Sequence, residues 1–168
     1  MNRMEATFIA QEHLAREGIL LDRLDWDAWL ALYREDAVYW VPGWIDEDTL
    51  TTDVRRQVSL VWHTRRDELL DRVVRIRSRK SVTAMPLPRT THSTSNVLVE
   101  AWEAGRIVGA ASFIVHEHHP RIRRSDVLFG RYEFEITQSG DEQGWRYARK
   151  KTILQNDLIP TLVDFYNL

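Results

Sequence analysis

The stretch IVGAASFIVHEHH, residues 107–119, determines the architecture that we predict for this chain. It contains no proline and no charge before Glu117, and its β-branched and aromatic residues favour a strand over a helix. At about 3.3 Å per residue such a strand would run roughly 40 Å, far beyond the usual length. A strand this long requires a strongly twisted or curved sheet, and Gly109 permits a bend within it.

The flanking segments also predict strands, so the long strand is expected to lie inside the sheet. Further strands are predicted at residues 37–41, 91–101, 126–136 and 145–154, with a hairpin loop at residues 139–144. Helices are predicted at residues 4–21, 24–35 and 67–77. Helices followed by an antiparallel meander indicate an α+β domain, with a curved antiparallel sheet wrapped around the N-terminal helices. We expect one domain over residues 1–168.

Two of the predicted helices carry an apolar stripe. Asp25 caps the start of the helix at residues 24–35. Its apolar residues recur at i, i+3, i+4 and i+7: Trp26, Trp29, Leu30 and Tyr33. The predicted buried side of the helix at residues 67–77 consists of Leu69, Leu70, Val73, Val74 and Ile76.

Composition excludes several classes of function. The chain has 168 residues, of which 43% are hydrophobic, enough for one domain with a core. Its formal net charge of −2 gives no general attraction to nucleic acid or to an anionic membrane. The absence of cysteine excludes disulfides, thiolate metal sites and iron–sulfur ligation. Charged residues near the amino terminus interrupt any signal-peptide core, so we expect a soluble cytoplasmic protein.

A histidine cluster ends the long strand. In a strand, His116 and His118 point the same way, about 6.6 Å apart, and a carboxylate from a neighbouring strand could complete a two-histidine, one-carboxylate metal site. The interpretation that we favour is a strand end that turns polar as it leaves the core, because no third ligand is identified. We therefore predict no metal site, with His116 and His118 as the residues that would test this.

A curved sheet closing on helices would also form a cone-shaped cavity. Tyr33, Tyr39, His92 or His116 could point into it, and one histidine with a carboxylate or tyrosine would suffice for proton transfer. No spacing singles out a pair. We therefore favour the interpretation that these side chains line a core with their polar ends satisfied.

Charge is distributed unevenly along the chain. The segment at residues 65–80 carries a net +4, from Arg65, Arg66, Arg72, Arg75, Arg77, Arg79 and Lys80 against three acidic residues. It lacks interleaved aromatic residues, so a solvated helix face or a protein contact is favoured over nucleic acid binding. The loop at residues 44–53 has the opposite sign and could meet the basic helix of the next subunit in a symmetric homo-oligomer.

Three stretches resemble a known family. They are LDWDAWLALYREDAVYWVPGWIDEDTLTTD at 24–53, LLDRVVRIRSRKSVTAMPLPRTTHSTSNV at 69–97 and RKKTILQNDLIPTLVDFYNL at 149–168. Together they resemble the small (β) subunit of aromatic-ring-hydroxylating dioxygenases, in the benzoate, toluate and anthranilate branch. The W-x-P-x-W-x-D-x-D-T-L-T loop that starts at Trp40 is specific. The stretch at residues 102–124, which includes the histidine cluster, departs most, and Gly18 stands where the family usually has a better helix former.

The resemblance implies a fold like that of nuclear transport factor 2 (NTF2-like, also called cystatin-like) and ketosteroid isomerase. It implies an assembly of three small and three large subunits, in which the small subunits form a homotrimer. The large subunit holds a Rieske [2Fe–2S] cluster and a mononuclear Fe(II) and cis-dihydroxylates an aromatic acid. The small subunit carries no catalytic residue or cofactor and is mainly structural, which agrees with the absence of cysteine.

We expect the loop at residues 40–53 and the segment at residues 65–89 to contact the large subunit, because aromatic and arginine side chains dominate such interfaces. The candidate interface residues are Trp40, Trp44, Asp46, Asp48, Arg72, Arg75, Arg77, Arg89 and His92. For Trp40 and Trp44, ordinary core packing is an equal alternative. Two competing functions stay open: a free-standing isomerase or dehydratase, and a small-ligand binding protein, each using the cone pocket.

Overall fold

The computed structural model describes residues 1–80, 85–138, 140, 144–159 and 162–168. Its helices are α1 (Arg3–Asp22), α2 (Trp26–Ala31), α3 (Arg66–Arg77) and a C-terminal 3₁₀ helix (Phe165–Asn167). Its strands are β1 (Tyr33–Pro42), β2 (Ser59–His63), β3 (Arg89–Glu103), β4 (Arg106–His119), β5 (Arg124–Gln138) and β6 (Trp145–Leu154). The predicted hairpin loop at residues 139–144 lies largely outside the described residues.

The strands form one mixed sheet in the order β2-β1-β6-β5-β4-β3. The long strand β4 lies inside it, between β5 and β3, as predicted. The expectation of an antiparallel sheet is wrong at one pairing, because β1 and β6 run parallel. These two strands are about a hundred residues apart in sequence, and local alternation says nothing about the relative direction of distant strands.

The helices cover one face of the sheet, which we call the inner face; the opposite face is the outer face. Side chains alternate strictly along β4, with Ile107, Phe113 and Val115 on the buried inner side. The sequence predicts a bend at Gly109, but in the structure this glycine allows neighbouring strands to approach β4 closely. A Cβ there would collide with the carbonyl oxygen of Leu98 and lie 2.9 Å from Phe134 Cζ, so only glycine fits.

Two predicted helices need correction. The second ends at Ala31 instead of residue 35, because the carbonyl of Leu32 accepts a 2.7 Å hydrogen bond from the amide of Tyr147 and the chain enters β1 at Tyr33. Asp25 caps this helix as expected, through Ala28 N.

In α3 only three of the five predicted apolar residues are buried, namely Leu69, Val73 and Ile76. Leu70 and Val74 are 40% and 56% exposed, because each lies about 100° around the helix from the buried stripe. The short strand β2 was not predicted; its five residues lie at the sheet edge, where alternation is a poor signal.

The C-terminal segment closes the core over the helices. Phe165 stacks on Trp29 with ring centroids 4.6 Å apart, and the buried Asp164 accepts hydrogen bonds from Arg72 (2.7 Å) and Arg75 (2.9 Å). Among the described residues, no helix combines the length and the apolar character needed to cross a bilayer.

Candidate functional sites

The interior of the cone contains a buried charge network. Glu17 of α1 and Lys150 of β6 form an ion pair of 2.9 Å, and both side chains are almost completely buried. The Glu17 carboxylate also accepts hydrogen bonds from Tyr33 Oη (2.5 Å), Tyr147 Oη (2.8 Å) and Trp29 Nε1 (3.3 Å). Four donors thus converge on one carboxylate.

This arrangement keeps the carboxylate ionised. Burial alone would raise the pKa of Glu17, but the charge of Lys150 and the hydrogen bond from Tyr33 outweigh it and lower the pKa. Burial lowers the pKa of Lys150, and Glu17 opposes this effect. Burial and the Glu17 charge raise the pKa of Tyr33 and of Tyr147 well above the usual value, so both phenols stay protonated.

Aromatic rings fill the space around the ion pair. The ammonium of Lys150 lies 4.1 Å from the ring centroid of Tyr132, and His13 packs edge-on against Tyr147 at 4.4 Å. Burial lowers the pKa of His13 to about 4, so this imidazole is neutral at neutral pH. Four surface cavities of the described residues, with volumes between about 380 and 790 Å³, are lined by neither Glu17 nor Lys150. The Glu17–Lys150 pair is therefore an internal polar cluster, whereas His13 Nε2, Tyr39 Oη and Thr152 Oγ1 are buried beside it without a hydrogen-bond partner in the part of the chain that the structure describes.

The sequence contained only a weak signal for one member of this pair. Glu17 shares the buried side of α1 with Ala6, Ala10, Leu14 and Leu21. Met4, Phe8 and Ile19 lie on the exposed side, however, so apolar periodicity does not single the buried side out. Lys150 could not be found in this way. The β5–β6 register shifts next to Ala148, and this bulge turns Lys150 inward, where simple alternation from Tyr147 would place Arg149.

Of the four residues expected to line the cone, the structure brings two together. Tyr33 and Tyr39 are buried inside it, with ring centroids 6.0 Å apart. His92 instead packs under α1, where its side chain is only 4% exposed and its Nδ1 lies 2.6 Å from Asp22 Oδ1. A Cβ on Gly18 would lie 2.9 Å from the Cβ of His92, which explains the glycine in α1.

The histidines of the cluster separate between the two faces of the sheet. His116 is exposed on the outer face, and His118 Nδ1 lies 2.9 Å from Ser125 Oγ. Within the described residues, neither of them joins a group of three potential metal ligands.

The outer face carries a cavity of about 790 Å³ with an aromatic edge. Trp40 and Trp62 meet there edge to face at 5.6 Å, and the ammonium of Lys151 lies 4.8 Å from the centroid of the Trp40 ring. Lys151 and Glu133 form an ion pair of 3.1 Å on the same face. Trp40 is therefore a half-buried surface residue and not a member of the core.

The loop at residues 44–53 is ordered by its own side chains. Trp44 is half-buried, and its Nε1 donates a 2.7 Å hydrogen bond to the carbonyl of Leu154. Asp46 accepts from the amides of Asp48 (3.2 Å) and Thr49 (2.8 Å). Hydrogen bonds, first from the Thr49 side chain, lower the pKa of Asp46. Both aspartates stay exposed on a fixed loop.

The arginines among the candidate interface residues differ in whether their side chains are free to contact another subunit. Arg72 and Arg75 hold Asp164 and thus anchor the C-terminal segment. Arg77 forms an exposed 2.8 Å ion pair with Asp27 of α2, and Arg89 is exposed at the start of β3.

The comparisons with known proteins agree with this architecture. The family model described as "Ring hydroxylating beta subunit" matches residues 16–161. The chain is 37% identical to the small subunit of 2-halobenzoate 1,2-dioxygenase from Burkholderia cepacia, over 100% of both chains. It is 34% identical to the small subunit of anthranilate 1,2-dioxygenase from Acinetobacter baylyi, over 98% of this chain and 99% of that one.

Solved structures confirm the predicted fold. The β subunit of benzoate 1,2-dioxygenase from Burkholderia mallei superposes with a TM-score of 0.78 at 32% identity, covering 95% of both chains. An NTF2-like protein with a cystatin-like fold from Novosphingobium aromaticivorans gives a TM-score of 0.64 at 17% identity, over 94% of this chain and 87% of that one, and shows the fold alone. This chain belongs to the family of ring-hydroxylating β subunits.

Proposed function

We propose that this chain is the non-catalytic, structural small subunit of a cytoplasmic Rieske non-heme iron dioxygenase that cis-dihydroxylates a benzoate-type aromatic acid. In this proposal three copies form a homotrimer that carries three large subunits. The large subunit holds the [2Fe–2S] cluster and the mononuclear Fe(II), and this chain holds neither. A Rieske centre takes two cysteine and two histidine ligands, and a chain without cysteine cannot provide them.

The observation that carries the proposal is the match along whole chains to subunits of aromatic-acid dioxygenases. Those relatives are subunits of dioxygenases named for 2-halobenzoate, anthranilate and benzoate, three acids with a carboxylate attached directly to a six-membered aromatic ring. The substrate class that we propose is the chemistry they have in common.

The filled cone supports a structural role. A free-standing isomerase or dehydratase needs an open pocket and a polar group that a substrate can reach. Here Glu17 is surrounded by Lys150, Tyr33, Tyr147 and Trp29, and each of these donors is already used. The interior therefore supports folding and leaves recognition to the surface.

The surfaces that we propose for the large subunit are the ordered loop at residues 44–53 and the aromatic edge of the outer face. Both present half-buried tryptophans, Trp44 and Trp40, on rigid backbone, which lowers the entropic cost of binding. Exposed Asp46, Asp48 and Arg89 would surround them with charge. His92 and the Arg72–Arg75 pair would act indirectly, by fixing α1 and the C-terminal segment.

The test is purification of the tagged full-length chain from its host after growth on benzoate or anthranilate. The eluate is analysed for iron, acid-labile sulfide and cis-dihydroxylation of both acids. We expect a larger protein to copurify in equal molar amount, together with iron and sulfide. Recovery of the chain alone, with neither iron nor sulfide, would overturn the proposal and favour a free-standing protein.

A further inference from the structure

Three potential metal ligands meet where β4 ends and β5 begins. Glu117 and Asp126 are direct partners across the two strands, and His119 is two residues beyond Glu117 on the same face of β4. His119 Nε2 lies 3.2 Å from Glu117 Oε1 and 3.7 Å from Asp126 Oδ2. All three ligand atoms lie within 4.8 Å of one another.

These separations match a metal coordination sphere. Zinc binds histidine nitrogen and carboxylate oxygen at about 2.0–2.2 Å, so two ligands of a tetrahedral ion lie about 3.4 Å apart. The two distances from His119 Nε2, 3.2 and 3.7 Å, lie on either side of that value. The third pair of ligand atoms, on Glu117 and Asp126, lies within 4.8 Å.

The triad is also buried and supported, unlike a group of carboxylates at the surface. The side chain of Glu117 is completely buried, and those of His119 and Asp126 are 18% and 16% exposed. Asn167 Nδ2 donates to the second oxygen of Glu117 at 3.1 Å, and Arg124 Nε donates to Asp126 at 2.8 Å. Hydrogen bonds of this kind orient metal-binding carboxylates in known sites.

The geometry points to a binding site for a divalent transition-metal ion of the Zn²⁺ type, with Glu117 Oε1, His119 Nε2 and Asp126 as ligands. The two carboxylates attract a dication, although Asp126 Oδ2 also pairs with the guanidinium of Arg124 at 2.8 Å, and the imidazole favours Zn²⁺ over Mg²⁺. The ion would join β4 to β5 and, through Asn167, to the C-terminal 3₁₀ helix. The ion would have a structural role at the C-terminal end of β4, which begins at Arg106 and ends at His119.

The experiment is a calorimetric titration of Zn²⁺ alone into the full-length, EDTA-treated chain, repeated with Mg²⁺. We expect one equivalent of Zn²⁺ to bind saturably, no comparable binding of Mg²⁺, and a higher melting temperature with Zn²⁺. His119→Ala should weaken the binding of Zn²⁺ at least about tenfold. The matched control is His118→Ala, whose imidazole bonds Ser125 on the other face and which should keep the wild-type affinity.

A second variant protects the test against misfolding. Asp126→Asn removes a charged ligand and keeps the shape of the side chain, so it should weaken Zn²⁺ binding even if His119→Ala does not fold. Absence of saturable Zn²⁺ binding by the wild-type chain would overturn the proposal and leave Glu117, His119 and Asp126 as an internal ion-pair cluster. An equal loss in His118→Ala would overturn it as well, because binding would then belong to surface histidines.

Discussion

Two neighbouring lysines of β6 show how differently the two faces of the sheet are used. Lys150 points inward, is 1% exposed, and forms an ion pair with Glu17 inside the cone. Lys151 points outward and forms a partly exposed ion pair with Glu133 beside Trp40. The inner face buries its charged pair away from solvent, whereas the outer face leaves its charged pair partly exposed.

This difference between the two faces indicates which surfaces of the molecule can bind other molecules. A conical sheet with an open interior is suited to small-molecule chemistry, but here the interior is closed by Glu17, Lys150 and the tyrosines around them. The surfaces with ordered, half-buried aromatic residues are outside, at Trp40 and Trp44. We therefore expect interior substitutions to change stability and exterior substitutions to change assembly.

The largest effect is expected for Lys150→Met. It leaves the Glu17 carboxylate buried without its cation, and breaking a buried pair in this way costs about 3–5 kcal/mol. The measurement is the free energy of unfolding from urea denaturation. The matched control, Lys151→Met, removes a partly exposed pair and should cost less than about 1 kcal/mol. If both variants lost the same free energy of unfolding, the inner and outer faces of the sheet would not differ in their contribution to stability.

The next effect is a pH dependence that arises from His13. Its pKa is about 4 in the folded chain against an ordinary value of 6.5, so between these values the unfolded chain binds more protons. Stability is therefore complete above pH 6.5 and falls as the pH drops toward 4, by up to about 3 kcal/mol.

The check is the free energy of unfolding of the wild type and of His13→Gln between pH 7 and pH 4.5. His13→Gln should flatten the slope, whereas His116→Gln, at an exposed residue of the outer face, should keep it. A slope unchanged in His13→Gln would show that the imidazole is not held neutral by burial.

A smaller effect on stability and a distinct effect on assembly are expected for Trp44→Ala. Loss of the hydrogen bond to Leu154 should cost about 1–2 kcal/mol and leave the chain folded. Binding of the large subunit should weaken at least about tenfold, as for an aromatic anchor of an interface. Trp102→Ala, a 37% exposed tryptophan on the edge strand β3, is the control and should keep binding. Unfolding of Trp44→Ala would assign this residue to the core.

The smallest effect on stability is expected for reversing the charges at Asp46 and Asp48. Both side chains are exposed, but Asp46 also accepts hydrogen bonds from two loop amides, so Asp46→Lys/Asp48→Lys should cost about 1 kcal/mol. If the acidic loop meets the basic helix of a second copy, the oligomer measured by light scattering should dissociate. Asp48→Lys alone and Asp157→Lys, at another exposed aspartate, change the net charge by the same amount, so the comparison of these two variants controls for net charge. An unchanged oligomer would exclude this loop from the contact between copies.

Much of the fold could be predicted because its signals are local. The alternation in β4 and its neighbours, the cap at Asp25 and the extent of α1 each follow from residues that are close together in sequence. The parallel β1–β6 pairing and the early end of α2 could not be predicted, because a distant partner, Tyr147, decides where the chain leaves the helix.

The sites were harder to predict for the same reason. A bulge beside Ala148 turns Lys150 inward, and the sequence around it contains no turn residue to indicate the shift. Strand alternation in the histidine cluster predicts a pairing of His116 with His118 on one face. The register between β4 and β5 brings His119 and Glu117 to Asp126, which lies beyond the next turn of the chain.

The most direct test of a structural role for the interior is the rate of cis-dihydroxylation by the reconstituted complex, with Tyr147→Phe in the small subunit. This variant removes one hydrogen bond to Glu17 and keeps the ring in place. We predict a rate per mole of iron equal to that of the wild-type complex, because in our proposal the interior of the small subunit has only a structural role. A fall of at least about tenfold, in a complex of unchanged composition, would contradict this and give the tyrosine a role in proton transfer.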